Sequence, residues 1–407
     1  MRILYPRDTM RPAPWLTDSA SSTNKAAHAA FVPIGMVTVL LGPLLPMLSA
    51  RWSLNYAQAG TLFTAQFLGA TIGTGLSGPI VSRWGYRFAI LTGLFAMAVG
   101  VGSLPFSSRF PGLICIFSYG IGLGLSIPAA NLLVAAMNAD RRSAALSLLN
   151  FSWSVGAVAC PFIVAVAAKV DQIRLFLVAL AGFLLLVLLA IASLRSFVEP
   201  AVEPLLERKN EHPNAWLAHG SWRSLFILAA LFFLYVGAEN AFGGWIASYA
   251  QGLGSSSPTL SVMTPSFFYA ALMVGRWSTP LVLKKTSEIT AARAGLLLAS
   301  MGMAGLIFSR ALPSVLSSVS VAGLGLAAVY PITISRLAYE FGPAASRLGS
   351  VMFTMANLGG SFLPWAVGFS SHEFNNLGVG LAIPLAASAL MLLLFHLYAR
   401  NLGPAPA

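Results

Sequence analysis

Glu239 is the carboxylate that this chain places deepest within an apolar run, the one at about 223–250. The other acids, Asp8, Asp18, Asp140, Asp171, Glu199, Glu203, Glu207, Glu211, Glu288, Glu340 and Glu373, fall in tails, loops or the ends of such runs. An ionised carboxylate in hydrocarbon costs several kcal/mol, so a buried acid faces a cavity, pairs with a cation or holds a proton. Each condition suits a group that takes up and releases an ion; the plainer alternative is a neutral acid bridging helix backbones. Arg276 is the natural partner. At about 1.5 Å per residue, Glu239 lies roughly 24 Å from Arg223, whereas Arg276 lies roughly 12 Å from Lys284. That arithmetic predicts a separation of two helical turns in depth, with Arg276 snorkelling or binding backbone carbonyls at an inner gate instead of pairing.

Uncharged side chains make a second group. Asn131, Asn150, Trp153 and Asn357 all lie roughly 12–17 Å from the nearest inner charges, which is the middle of a hydrocarbon core about 30 Å thick. Amides there either glue helices together or line a wet cavity. Convergence of all four at one level is the expectation, with Gln66, Asn240, Trp245, Tyr249 and Tyr330 as further lining candidates. Trp245 and Tyr249, four residues apart, share a helix face; they serve either as lining or as interfacial aromatics.

The elements that must position these groups follow from composition. Of 407 residues, 57% are hydrophobic and only 9% charged; a water-soluble chain carries about a quarter charged residues, so this one is expected to be an integral membrane protein. Twelve apolar segments are long enough to span, at about 29–50, 57–82, 86–106, 111–137, 143–167, 174–195, 223–250, 259–284, 291–309, 311–339, 346–370 and 377–399. The expected organisation is a tail at 1–28, a six-helix half at 29–195, a polar linker at 196–222, a second six-helix half at 223–399 and a short tail at 400–407. Charges from Arg2 to Lys25 interrupt the first segment before an apolar leader can form. With the N-terminus inside, 18 of the 24 Lys and Arg fall on the inner side and five outside, so both termini and the linker are expected in the cytoplasm. The net charge of +12 is thus topological, and no nucleic-acid partner is expected. The cysteines, Cys115 and Cys160, both sit in apolar runs, which leaves no disulfide framework or thiolate metal site.

A repeat supports two halves. Gly120-x-Gly122-x5-Pro128 recurs 203 residues later as Gly323-x-Gly325-x5-Pro331, and the same shift carries Gly156-x4-Pro161 onto Gly359-x4-Pro364. These glycines read as close-packing surfaces. Parallel six-helix repeats about an axis along the membrane normal belong to rocking transporters, whose site lies between the halves.

Between the second and third spans stand Gly78, Ser82, Arg83, Gly85 and Arg87. This loop resembles the signature of the major facilitator superfamily, with Ser82 where that family has Asp; the resemblance implies a cytoplasmic gate at Gly78, Arg83, Gly85 and Arg87, to which Arg276 is added by depth. A narrower similarity is to the fucose permease-like sugar symporters and sodium-dependent glucose transporters. It rests on Ala65-Gln66-Phe67-Leu68-Gly69, Pro128-Ala-Ala-Asn131, Asn150-Phe-Ser-Trp153 and Tyr235-Val-Gly237-Ala-Glu239 with Gly243-Gly244-Trp245 and Tyr249. Unlike proton-coupled fucose permeases, the first and fourth spans here hold no acid.

Together these readings predict an all-α secondary transporter that moves a neutral polar solute of the monosaccharide class, coupled to a proton or sodium ion at Glu239. It is expected to act as a monomer in a bacterial inner membrane, without a cofactor. One rival is a proton-driven exporter of drugs or amphipathic metabolites, but its Gly-Pro-x-x-Gly-Gly element is replaced by Cys160-Pro161-Phe-Ile-Val-Ala. Another is a transport-dead receptor on the same fold. An intramembrane enzyme would need a catalytic constellation at depth, and His28, His212, His219, His372 and His396 lie in tails, loops or span ends.

Overall fold

The computed structural model describes residues 14–138, 142–195, 197–199, 222–254, 257–341 and 345–401. Residues 1–13, most of the 196–222 linker and 402–407 lie outside that description.

All the described regular structure is helical. The first span is bent: α1 (Pro14–Val39) continues after a 42° break into α2 (Leu41–Arg51). The helix therefore starts well before residue 29, and within residues 22–28, expected in the tail, Thr23, Ala26 and Ala27 are buried. Thr23 is fully buried and accepts from the Val198 amide, and Asn24 exchanges side-chain hydrogen bonds with Asn138. Hydropathy missed this because polar residues can occupy a membrane-protein interior when each finds a partner.

The second and third spans form one helical stretch, α3 (Tyr56–Ser103), opened by a capping box between Asn55 and Gln58 and broken at Gly85. The remaining helices are α4 (Arg109–Met137), α5 (Arg142–Lys169), α6 (Ile173–Ser193), α7 (Trp222–Gly252), α8 (Pro258–Leu283), α9 (Glu288–Phe308), α10 (Leu312–Leu326), α11 (Val329–Phe341), α12 (Ala345–Glu373), α13 (Leu377–Gly380) and α14 (Ala382–Asn401). The tenth span is α10 with α11, the twelfth α13 with α14. All twelve expected spans are present, although α8 and α12 are more polar than a free-standing membrane helix. Large apolar side chains such as Phe95, Leu186, Leu189, Phe226, Met301 and Phe308 stand exposed, as befits a surface facing lipid.

The 203-residue repeat is a repeat of packing. Side chains at Gly120 and Gly323 would collide with the carbonyls of Gln66 and Phe268; those at Gly122 and Gly325 would meet Gly93 and Ala299. Likewise Gly156 lets α5 close on Val32 of α1, and Gly359 lets α12 close on Phe233 of α7. Since lipid is as apolar as a helix face, such close backbone approach is what holds membrane helices together.

The halves meet along α3 with α12, α5 with α8, and α2 with α7. At the end away from Gly85 the contact is tight: Gly42 lies against Gly243, Phe63 fills the space beside Gly244, and the buried Trp245 packs on Tyr56 and Phe63. At the Gly85 end, α4 and α11 pack principally within their own halves.

Candidate functional site

The local break at Gly85 positions the signature loop. Its φ of +84° with ψ of 171° is backbone that only glycine adopts readily, and a Cβ there would also overlap the Glu199 carboxylate. Arg87 donates its backbone N–H to Glu199 at 2.9 Å. Its guanidinium donates to the carbonyls of Ile191 and Ala192 at 2.8 and 2.7 Å, capping the C-terminus of α6, and lies over Phe197. A cation suits that helix end. Sequence reading missed Glu199, which brings a carboxylate to a loop whose own acidic position is Ser82. Ser82 donates only to Pro79 of its own turn, Arg83 lies over Trp84, and Gly78 has open space around it. Gly85→Ala is expected to destabilise the protein by about 1–3 kcal/mol, the cost of a non-glycine residue in this backbone region; thermal unfolding in detergent would show it, and an unchanged midpoint would contradict it.

Deeper in the bundle, Arg276 Nη2 lies 3.6 Å from Glu239 Oε2. The predicted two-turn separation is therefore wrong: Arg276, expected at the inner gate, pairs with Glu239. Depth was counted from the inner ends, where α7 projects further than α8. The better anchor is the short connection the helices share at the other end: Glu239 stands 13 residues before the end of α7 and Arg276 stands 18 after the start of α8. That difference corresponds to about 7–8 Å of rise, which a long Arg side chain spans.

Arg276 also donates to the Tyr235 hydroxyl at 3.4 Å, and Tyr330 stacks on Tyr235 with ring centres 5.3 Å apart. From the other half, Trp153 presents its ring to the guanidinium at 5.6 Å, a cation–π arrangement, and meets the edge of Tyr269. Trp153 Nε1 donates to Thr38 Oγ1 at 3.2 Å, while Gln66 Nε2 donates to the Thr38 carbonyl at 3.0 Å and Gln66 Oε1 accepts from Tyr119. Thr38 lies two residues before Leu40, where α1 breaks from α2. Together with Gln66, Asn240, Tyr269, Phe63, Gly42 and Gly244 it surrounds a space of about 10 Å³, the room for a single water.

The structure thus joins Gln66, Trp153, Glu239, Asn240, Tyr330 and Arg276 into one polar and aromatic cluster drawn from both halves. Thr38, Tyr119, Tyr235 and Tyr269 complete it and were not among the expected site residues. The repeat offered a signal for one of them, since a shift of 203 carries Gln66 onto Tyr269.

Of the four expected midplane groups, Trp153 is the one whose polar atom bonds into this cluster. Asn150 is exposed one turn from Trp153 on the same helix face and donates to Leu146 O; Asn131 donates to Ile127 O. Asn357 instead donates to Thr74 at 3.2 Å, tying α12 to α3. Short polar side chains readily return to the carbonyl of their own preceding turn, a local choice that depth cannot reveal. Trp245 and Tyr249 are both buried, so neither belongs to an interfacial belt. Trp245 donates to Pro364 O at 3.0 Å and Tyr249 to Ile307 O at 2.9 Å, within the closed end.

A twelve-span bundle of two repeated halves with a polar cluster between them is an architecture found among membrane transporters. The Major Facilitator Superfamily profile matches residues 28–364, and the chain belongs to that superfamily. It is 23% identical over 403 residues to the sodium-dependent glucose transporter 1A of Mus musculus, covering 90% of this chain and 94% of that one. It is 26% identical over 355 residues to the glucose/galactose transporter of Brucella abortus, covering 81% and 83%. The E. coli fucose:proton symporter FucP has the same fold, with a TM-score of 0.65 at 19% identity, over 93% of this chain and 99% of that one.

Proposed function

We propose that this protein is a secondary transporter that carries a neutral sugar of the hexose class by alternating access between its halves, with Glu239 as the site of the coupling ion. One observation carries the reading: the buried Glu239–Arg276 pair of the second half is pressed against Trp153 of the first. The ion site and the aromatic surface for a solute therefore share the moving interface, so a change of charge at one bears on the packing of the other. The lining is rich in amides, hydroxyls and aromatic faces. Amides both donate and accept towards sugar hydroxyls, and an indole covers the apolar side of a sugar ring. A phosphate or dicarboxylate would call for two or more free cations; Arg276 is already matched by Glu239. Relatives named for glucose and galactose support the same class. Both halves come from one chain, so a single copy suffices.

Exchange of radiolabelled glucose or galactose across liposomes containing the purified protein tests this reading. Trp153→Ala is expected to weaken sugar binding by about 1.5–3 kcal/mol, the loss of one large apolar face from the ring it would cover, whereas Asn150→Ala, exposed and bonded to its own helix, should change affinity little. Binding of hydrophobic cations with no response to any hexose would replace the sugar reading with that of an exporter.

A further inference from the structure

A groove on the outside of the bundle crosses the seam between the halves. Thr61 and Thr64 of α3 form one wall, and Phe233 of α7 with Leu358, Phe362 and Trp365 of α12 forms the other. It encloses about 510 Å³, within the range of about 300–1,000 Å³ that organic ligands fill. None of the residues that line it belongs to the polar cluster around Glu239.

Depth says what covers it. The 29 residues of α12 extend about 43 Å, against a hydrocarbon core of about 30 Å. Trp365 and Leu358 stand eight and 15 residues before the end of α12 at Glu373, a rise of about 12–23 Å. Thr61 and Thr64 stand five and eight residues after the start of α3, a rise of about 8–12 Å. The groove therefore lies in the half of the hydrocarbon away from Gly85, the outer leaflet in the expected orientation. Its chemistry agrees with that depth. The Thr61 and Thr64 hydroxyls already donate to the carbonyls of Gln58 and Ser361, at 2.6 and 3.3 Å. Opposite them runs a row of rings, with centres 6.2 Å apart from Phe233 to Phe362, 5.7 Å from Phe362 to Trp365 and 5.5 Å from Trp365 to Phe369. A space so lined has little to offer water. From Phe362 to Phe369 the row follows the helix axis for about 10 Å, along the direction in which a lipid chain lies.

The floor of the groove is where the halves touch. A side chain at Gly60 would meet the backbone of Trp365, and the bond from Thr64 to Ser361 ties α3 to α12. Spreading the halves at this end would part that floor, so an occupant lying on both walls favours the closed arrangement over the spread one. We propose that the groove binds one acyl chain of a phospholipid from that leaflet, and that the chain, packed against α3 and α12 together, holds the halves closed there. Surrounding lipid is as apolar as the groove, so the preference for this position comes from close packing on two walls and not from a hydrophobic force.

The test uses the purified full-length protein in detergent and a phosphatidylcholine with a brominated acyl chain, which quenches tryptophan fluorescence on contact. Quenching is expected to saturate at one lipid per protein, and Trp365→Phe, which keeps a ring in the wall, should lose the saturable part. Thr61→Phe combined with Leu358→Phe narrows the groove from both sides and should weaken the saturable binding roughly tenfold or more without lowering the unfolding midpoint. Phe362→Ala, which removes an exposed ring from the row, should weaken it as well and decides the matter if the narrowed variant fails to fold. Quenching that climbs without saturating, as from lipid that merely surrounds the protein, would overturn the proposal. So would saturable quenching that none of these substitutions changes, or a dimer that lipid leaves intact and the narrowing substitutions break, which would put a second copy on the groove. No sugar enters these measurements, so their outcome is separate from that of the transport reading.

Discussion

Glu239→Gln is expected to abolish accumulation of sugar against its gradient while leaving exchange of the same sugar across the membrane intact. The side chain is 10% exposed, and Gln has nearly its shape, so its amide oxygen can still accept from Arg276. What disappears is the ionisable group. Exchange requires only that the loaded carrier reorient, whereas accumulation requires each sugar to move with a charge. One charge crossing a potential of 100 mV is worth about 2.3 kcal/mol, which corresponds to a concentration ratio of about 50 at equilibrium. Unmutated protein should therefore approach a ratio of that order in energised vesicles, and the variant should stop at equal concentrations. Normal accumulation by Glu239→Gln would place the ion elsewhere; loss of exchange as well would mean that the carboxylate binds sugar or holds the fold.

Spans, halves and repeat were legible because they depend on properties the sequence states directly. Length and apolarity determine what crosses a bilayer, and the glycines at 120 and 323, 122 and 325, and 156 and 359 mark where backbones must touch. Gly85 was legible as part of a loop motif, and its positive φ supplies the physical reason for it. The site was only partly legible. Depth along a helix can be counted, but the rotation of a helix about its axis is poorly specified when lipid-facing and packed sides are equally apolar. Gln66 and Trp153 consequently found the cluster while Asn131 turned back on its own helix. Glu199 could not be assigned from spacing, since it reaches Gly85 across 114 residues from the start of the polar linker. Thr38, a residue type common in membrane helices, becomes notable only once Gln66 and Trp153 are seen to converge on it. The error over Arg276 has a transferable cause: when two antiparallel helices share a short turn, their register is set at that turn and not at their free ends.

The pairing of Arg276 with Glu239 makes a stability prediction with an unusual sign. Removing one partner of a buried ion pair is destabilising by about 3–5 kcal/mol, because the remaining charge is left unmatched. Arg276→Gln should therefore lower the unfolding midpoint sharply and also release the Trp153 face that Arg276 covers from across the interface. Adding Glu239→Gln to that variant should raise the midpoint again, since two neutral amides at this spacing can bond each other and no orphan charge remains. A second mutation that repairs the first is the signature of a coupled pair. Glu239→Gln alone should cost less than Arg276→Gln alone, because Arg276 retains Trp153 and the Tyr235 hydroxyl as partners. Lys in place of Arg276 keeps the charge but loses the flat face that lies against the indole, so it should recover only part of the loss. Four midpoints measured in one detergent complete the cycle. If the losses of the two single variants simply add in the double variant, the charges act independently, and the link between the charge at Glu239 and the interface of the halves has no energetic basis.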